Sequence, residues 1–285
     1  MGNQVESVLL VINTQKTEAN GIADGIENFL KDRRIKVRRF SYMGAAIDLP
    51  DTEEFDLAIT LGGDGTVLFA SRVLAERNVP ILPVNLGDFG FISEIGHDEW
   101  AEAFVQYLDG TIEAGNRLVL EVCLVREAKT ISRFRGLNDA VVASAGIAKI
   151  VRLRVSFGGQ PIGRYRADGV LVATPTGSSA YSAAAGGPIL HPEMSAMIFN
   201  PICPHTLSHR PIVLPADEQI QIDVEQDQRT DIILTVDGQS HTGLRTGDRI
   251  QIRAADRPAR IIRSDRRNFY EVLRTKLNWS GGPND

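Results

Sequence analysis

Cysteine is nearly absent. Cys123 and Cys203 are the only two in 285 residues, too few for a disulfide framework and compatible with buried thiols in a reducing compartment. An excess of basic residues is missing too. Lys and Arg number 31 against 36 Asp and Glu, for a net charge of −5, which supplies no general attraction to nucleic acid or anionic lipid. No apolar run is long enough to cross a bilayer. The longest stretch free of Asp, Glu, Lys and Arg, Gly169 to Pro192, is half Gly, Pro, Ser and Thr. The N-terminal MGNQVESVLLVINTQ has no basic region and no small-residue cleavage site, so it does not read as a secretory signal, and a cytoplasmic location is expected. Three nucleotide or hydrolase signatures are absent as well: G-x-x-x-x-G-K-[ST], G-x-S-x-G, and a dinucleotide fingerprint, since counting from Gly63 places Leu68 at the last glycine position.

What is present is ordinary globular material: 43% hydrophobic and 24% charged residues, enough chain for about two domains at roughly 150 residues each. Val8 to Ile12 is an unbroken apolar run, as in a strand buried on both faces of a parallel sheet. Helical spacing follows at Ala19, Ile22, Ala23, Ile26, Phe29 and Leu30, then a short strand around Ile35 to Phe40. The pattern repeats with a strand from Phe55 to Leu61, a helix beginning near Thr66, and a strand from Ile81 to Val84. Strands alternating with helices predict an open, mostly parallel sheet with its ligands outside the carboxyl ends of the strands.

From about Arg117 the rhythm changes to short β segments: Leu118 to Val125, Asp139 to Ala143, Val151 to Phe157, Ile220 to Val224, Ile232 to Val236 and Ile250 to Arg253. Phe269, Val272, Leu273 and Leu277 again have helical spacing. The expected organisation is an α/β domain over 1–116, a mainly β, sandwich-like domain over 117–264, and a C-terminal helix and tail over 265–285 that returns to the first domain.

The candidate chemistry begins at Gly62-Gly63-Asp64-Gly65-Thr66, between a strand and a helix. Glycines let backbone N–H groups approach a phosphate, and the helix N-terminus adds a partial positive field. Asp64 is the odd member, because a bare carboxylate repels phosphate unless it binds a metal or takes a proton from an attacking hydroxyl. The bland alternative is an Asp-Gly turn, but a hairpin needs a strand after the turn and a helix pattern follows instead. A second candidate runs from Asp168-Gly169 through Thr174-Pro175-Thr176-Gly177-Ser178-Ser179-Ala180-Tyr181-Ser182 to Gly186-Gly187-Pro188, dense in hydroxyls and flexible backbone. It suits a ribose and an adenine, or else it is a polar loop capping a helix from Ser178 to Ala185. Asn138-Asp139 interrupts a β-type run, as a pair of ligand-facing side chains or as a turn. Lys149, Arg152, Arg154, Arg164 and Arg166 precede Asp168 as a source of positive field or as solvated strand faces. Cys203, His205 and His209 do not make a zinc site, since Pro201, Pro204 and Pro211 break any helix that would align them. The arginines between 257 and 267 are interleaved with Asp256 and Asp265 and read as a solvated face.

In combination these segments resemble the NAD kinase family, within the wider group of diacylglycerol kinases and phosphofructokinases that shares Gly62-Gly63-Asp64-Gly65. More specific are Asn85-Leu86-Gly87 with Gly90-Phe91, Asn138-Asp139, the Asp168 to Pro188 segment, Pro204-His205-Thr206-Leu207-Ser208 with Arg210-Pro211, and Val236-Asp237-Gly238-Gln239. The resemblance implies transfer of the terminal phosphoryl group of ATP or polyphosphate to the 2′-hydroxyl of the adenosine ribose of NAD. It implies Mg²⁺ as the divalent metal, with no metal ligand identified, and a homodimer or homotetramer. It implies Asp64 as general base and Gly62, Gly63, Gly65 and Thr66 as the phosphate-facing loop. NAD would be held by Asn138, Asp139, Lys149, Arg166, Asp168, Ser179, Ala180, Tyr181, Ser182, Ala183, Ala184 and Gln239. Two positions depart from the family pattern: Ser179 where threonine is frequent, and Asp88 where a basic residue is frequent. The rivals are a lipid or sugar kinase of the wider group, and a dinucleotide sensor that binds without turnover.

Overall fold

The computed structural model describes residues 2–43, 54–146, 149–206 and 208–278. Leu207 and the tail from 279 onward, named among the expectations above, lie outside the described residues. The chain divides into two compact units, Met1–Asn116 with Ala259–Asp285, and Arg117–Pro258.

The first unit is built on β1 (Ser7–Asn13), α1 (Ala19–Asp32), β2 (Lys36–Tyr42), β3 (Leu57–Gly62), α2 (Asp64–Leu74), β4 (Ile81–Asn85), β5 (Ile95–Gly96), α3 (Trp100–Asp109) and β6 (Ala114–Arg117). β1 pairs in parallel with β2 and β3, and β3 with β4, so the apolar runs of β1 and β3 are covered on both faces. Val8, Leu10, Val11, Ile12, Leu57, Ala58, Ile59 and Leu61 have no exposed surface; burying each Val, Leu or Ile is worth about 1.5–3 kcal/mol, which makes this layer the anchor of the unit. Helix α2 is buried along most of its length. Its Phe69 ring stacks on Phe40 and Tyr42, with centroids 5.7 and 4.6 Å away.

The second unit is a sandwich of two antiparallel sheets. It contains β7 (Leu120–Arg126), β8 (Lys129–Gly136), β9 (Asp139–Ser144), β10 (Val151–Phe157), β11 (Gln160–Ala167), β12 (Gly169–Ala173), the short α4 (Tyr181–Ala184), β13 (Ala196–Ile202), β14 (Ile212–Pro215), β15 (Ile220–Val224), β16 (Ile232–Val236), β17 (Ser240–Leu244) and β18 (Arg249–Ala254). One sheet has the order β11-β10-β15-β18-β7-β8 and the other β14-β13-β12-β9-β16-β17. Val122, Leu153, Ile222 and Ile250 from one sheet meet Val142, Val172, Phe199 and Leu234 from the other in a single core. The opposite face of the second sheet carries its own apolar cluster, Val141, Leu171, Ala173 and Ile198, packed with Leu190.

Three sequence expectations change. Helix α2 begins at Asp64, not near Thr66, because Gly63 alone makes the turn out of β3. Asn138-Asp139 does not interrupt one strand: Leu137 and Asn138 join β8 to β9, and Asp139 opens β9. The expected helix from Ser178 to Ala185 is a 3-10 turn, Thr176–Ser179, followed by the one-turn α4. The chain also rejoins the first unit earlier than expected: β19 (Ala259–Ile262) pairs in parallel with β4, ahead of α5 (Phe269–Leu277).

Candidate active site

In the first unit the parallel registers set Ile12 beside Leu61 and Gly62 beside Asn85. Strands β1, β3 and β4 therefore end together, and the turns that leave them share the carboxyl edge of the sheet. With Gly63 as the only residue between β3 and α2, Asp64 becomes the first residue of a buried helix, at the positive end of its backbone dipole. Its carboxylate is caught by the turn that follows β4. Oδ1 accepts hydrogen bonds from the Ser93 N–H (2.9 Å), the Ser93 hydroxyl (2.7 Å) and the Ile92 N–H (3.2 Å), while Oδ2 accepts one from the Phe91 N–H (2.9 Å). A carboxylate offers about four lone-pair sites. Oδ1 is thus fully used, and the remaining acceptor capacity lies on Oδ2.

The turn is itself fixed from inside. Asn85, 2% exposed, donates from Nδ2 to the Asp88 carbonyl (3.0 Å), the Ser93 carbonyl (3.1 Å) and the Ser93 hydroxyl (2.9 Å), and its Oδ1 accepts from the Gly87 N–H (2.7 Å). Gly90 is a close-approach glycine: a Cβ there would fall inside the Asp64 carboxylate. Of the predicted phosphate loop, Gly63 and Gly65 reach the surface, whereas Gly62 closes β3 against Thr66, itself buried in α2. Gly62 and Thr66 lie buried beneath the loop.

The second unit holds a pocket of about 450 Å³ on the outer face of the β9 sheet, lined by Asn138, Asp139, Val141, Ala143, Ala180, Tyr181, Thr235, Asp237 and Gly238. Its volume is that of a small-molecule site. Asp139, Val141 and Ala143 alternate along β9 and so share one face. The turn that presents Asn138 and Asp139 is clamped by Asp237, from the loop between β16 and β17. Asp237 Oδ2 accepts from the Leu137 N–H (2.8 Å), and Oδ1 from the N–H groups of Asn138 (2.7 Å) and Asp139 (3.1 Å). Asp237 adopts a left-handed φ of 53°, which Asp tolerates better than most residues. From the other side the Thr174 hydroxyl donates to the Leu137 carbonyl, the Thr174 N–H bonds the Asn138 carbonyl (2.8 Å), and the Thr174 oxygen receives the Gly177 N–H (3.0 Å). Gly177 lies against the Asn138 backbone, where a Cβ has no room.

Asp139 is 6% exposed. Burial, reinforced by the neighbouring Asp237 carboxylate, pushes its carboxyl up to about 7. The Asn138 Oδ1 is buried without a partner. An unpartnered acceptor beside a buried acid in a pocket suits a ligand rich in N–H and O–H donors. Tyr181 presents an exposed ring beside them, its phenol pushed up by burial and by the Cys203, Asp139 and Asp168 groups around it.

The remaining predicted residues divide. Lys149, beside Gly146, and Asp168, whose carbonyl accepts from the Ser144 N–H, belong to the far end of β9 with Arg166. That end is roughly 17 Å from Asp139 by strand rise. Ser179 is half-buried and bonds the Thr176 carbonyl, and Ala183 and Ala184 stand on α4 outside the pocket lining. Ser182 is fully buried with its hydroxyl against Gly187, so it forms the floor under α4. Gln239 sits in the Asp237–Gln239 loop, its N–H bonded to the Val236 carbonyl. Val141, Ala143, Thr235 and Ser93 escape a reading of the site from sequence, while Asp237 falls inside the Val236-Asp237-Gly238-Gln239 segment without a role of its own. Asp237-Gly238 between two β runs is a hairpin signal that points to its turn.

Comparison with known proteins agrees with this layout. Residues 45–112 match the ATP-NAD kinase N-terminal domain and residues 137–264 the ATP-NAD kinase C-terminal domain. An NAD kinase of Treponema denticola is 43% identical, over 97% of this chain and 98% of that one. An NAD kinase of Geotalea daltonii is 40% identical over 90% of each. Among solved structures, yeast NADH kinase complexed with NADH superposes with a TM-score of 0.82 at 23% identity, covering 98% of this chain and 89% of that one. An NAD kinase from Archaeoglobus fulgidus in complex with ATP gives 0.74 at 25% identity, covering 94% and 98%. With both domain patterns present in order and relatives this similar over nearly the whole length, the chain belongs to the NAD kinase family.

Proposed function

We propose that the chain transfers the terminal phosphoryl group of ATP to the 2′-hydroxyl of the adenosine ribose of NAD, forming NADP. The observation that carries the assignment of roles is the Asp64 carboxylate, fixed by four hydrogen bonds with acceptor capacity left on Oδ2. An alcohol near its ordinary pKa is a poor nucleophile, so alignment, proton removal and charge neutralisation must supply the rate. Asp64 Oδ2 takes the ribose proton as the oxygen attacks the γ-phosphorus, the bond from that phosphorus to the β–γ bridging oxygen breaks and ADP leaves, and the backbone at Gly63 and Gly65 faces the phosphates. Asn138 and Asp139 receive donors of NAD, Ala180 and Tyr181 wall the pocket, and Lys149, Arg166, Asp168 and Gln239 serve parts of the dinucleotide farther along.

The described residues contain no group of three or more His, Cys, Asp or Glu side chains able to hold a metal. What fits this chain is a Mg²⁺ ion that arrives on the triphosphate, because Mg²⁺ keeps several waters and takes one or two carboxylates beside substrate phosphates. Held by the phosphates and its own waters, the ion would neutralise charge on the transferring phosphoryl group and would leave the last acceptor site of Asp64 Oδ2 to the ribose proton. No described helix is long and apolar enough to cross a membrane, and we assign the protein to the cytoplasm as a homodimer or homotetramer.

The test is direct: protein, NAD, ATP and Mg²⁺ are incubated and NADP is assayed, with polyphosphate as an alternative donor and diacylglycerol or fructose 6-phosphate as alternative acceptors. NADP formation is expected. Binding of NAD without turnover under any donor and metal would make the chain a sensor, and phosphorylation of lipid or sugar in place of NAD would move it to another branch.

A further inference from the structure

We infer that Arg267, on the segment that enters α5, is a positioning residue for Asp64. The inference rests on Asp64 as the base. Arg267 lies within the same unit and grips the Asp64-binding turn on both sides. Ahead of that turn, its guanidinium carbon sits 3.9 Å from the Phe89 ring centroid, a cation–π contact. Beyond it, Nη1 donates to the Glu94 carbonyl (3.0 Å) and to Glu99 Oε2 (2.6 Å), while Nη2 donates to Glu99 Oε1 (2.9 Å). Glu99 in turn accepts from the Gly96 N–H at 2.8 Å. Between these anchors lie only Gly90 to Ser93, the residues that supply all four hydrogen bonds to Asp64. The chain from Leu86 to Glu94 forms no helix or strand, so its shape depends on side-chain braces. Asn85 is the inner brace and Arg267 the outer one. The planar fork matters, since a lysine offers a point charge and no bidentate grip on Glu99.

The experiment compares Arg267→Met, Arg267→Lys, Asp64→Asn and the Arg267→Met/Asp64→Asn double variant. Each is assayed for kcat, KM and the NAD dissociation constant, well below its melting temperature. An ångström-scale misplacement of a reacting group costs on the order of 10²-fold. Arg267→Met is therefore expected to lose roughly 10- to 100-fold in kcat with NAD affinity changed less than about threefold, because the Asn138–Asp139 pocket is built by the other unit. Arg267→Lys should recover part of the loss, and the double variant should be no slower than Asp64→Asn alone. If Arg267→Met fails to fold, Phe89→Leu removes the ring contact alone and should still lower kcat several-fold. Full kcat in a folded Arg267→Met, or an equal further loss on the Asp64→Asn background, overturns the inference while leaving Asp64 as base. Full activity in Asp64→Asn overturns both.

Discussion

Asp64 in the first unit and Asp237 in the second are each clamped by a run of successive backbone N–H groups, and the two clamps serve opposite ends. In the first unit residues 91–93 hold Asp64, the group assigned to the chemistry. In the second, residues 137–139 hold Asp237, and the acid proposed to meet the ligand is its neighbour, Asp139, buried in the pocket wall. A proton acceptor gains from being aimed before substrate arrives, so its lone pairs are used up except where they are needed. A recognition group gains from being left wanting, because the ligand's donors then meet an unpaid desolvation cost and analogues without them are rejected.

The largest effect that tests this contrast falls on Asp64. Asp64→Asn removes the proton acceptor and is expected to lower kcat by about 10²–10⁴-fold while NAD binding, read by calorimetry, is retained. Asp139 should behave in the reverse manner, through pH. Burial and the Asp237 carboxylate raise its carboxyl to about 7 in the folded chain, against about 3.9 for an unperturbed aspartate. The folded form thus keeps a proton that the unfolded form releases between those values, and stability falls as pH rises from about 4 to about 7, then levels. Asp139→Asn should flatten that slope by up to roughly 4 kcal/mol. The check is urea unfolding at pH 5 and pH 8, and parallel slopes for both proteins would show that Asp139 is not the group.

Gly90→Ala is a finer probe of the first clamp. Its Cβ pushes the Asp64 carboxylate off the backbone donors it now satisfies, so kcat should drop about tenfold or more and the melting temperature should fall with it. The smallest effect belongs to Glu99, which its Arg267 partner holds down at about 2, well below the usual carboxylate range. Here the stability is present above about pH 4.5 and is lost as pH falls toward 2. Glu99→Gln should remove about 1–2 kcal/mol of that acid-sensitive stability, since solvent reaches the Arg267 side of the pair and screens part of it. Acid titration of both proteins, followed by near-UV circular dichroism, makes the comparison.

The parallel sheet and the strand–turn–helix around Asp64 were legible because Val8–Ile12 and the Leu57–Leu61 stretch are buried on both faces, and such burial demands uninterrupted apolar sequence. Strands β8 and β11 were not, since edge strands of the sandwich carry lysine and arginine on exposed positions and show no apolar period. β13 escaped for another reason: it is buried throughout, yet Asn200 and Pro201 interrupt its apolar run. The pocket shows the same limit. Asn138 and Asp139 stood out as polar residues beside an apolar run, but Thr235 and Asp237 join them only through pairing of β9 with β16, across nearly 100 residues. Ser93 looks like any other serine until the turn after β4 folds back onto α2.

The order of the first sheet also bears on how the protein is made. β19 lies between β4 and β6, so an interior slot is filled by one of the last segments to leave the ribosome. Arg117–Pro258 is a continuous stretch free to fold during synthesis, whereas the sheet beneath Asp64 is completed only afterward. The nascent chain can thus complete the Asn138–Asp139 pocket before it can finish the sheet beneath Asp64, so recognition and chemistry as proposed above would mature in that order.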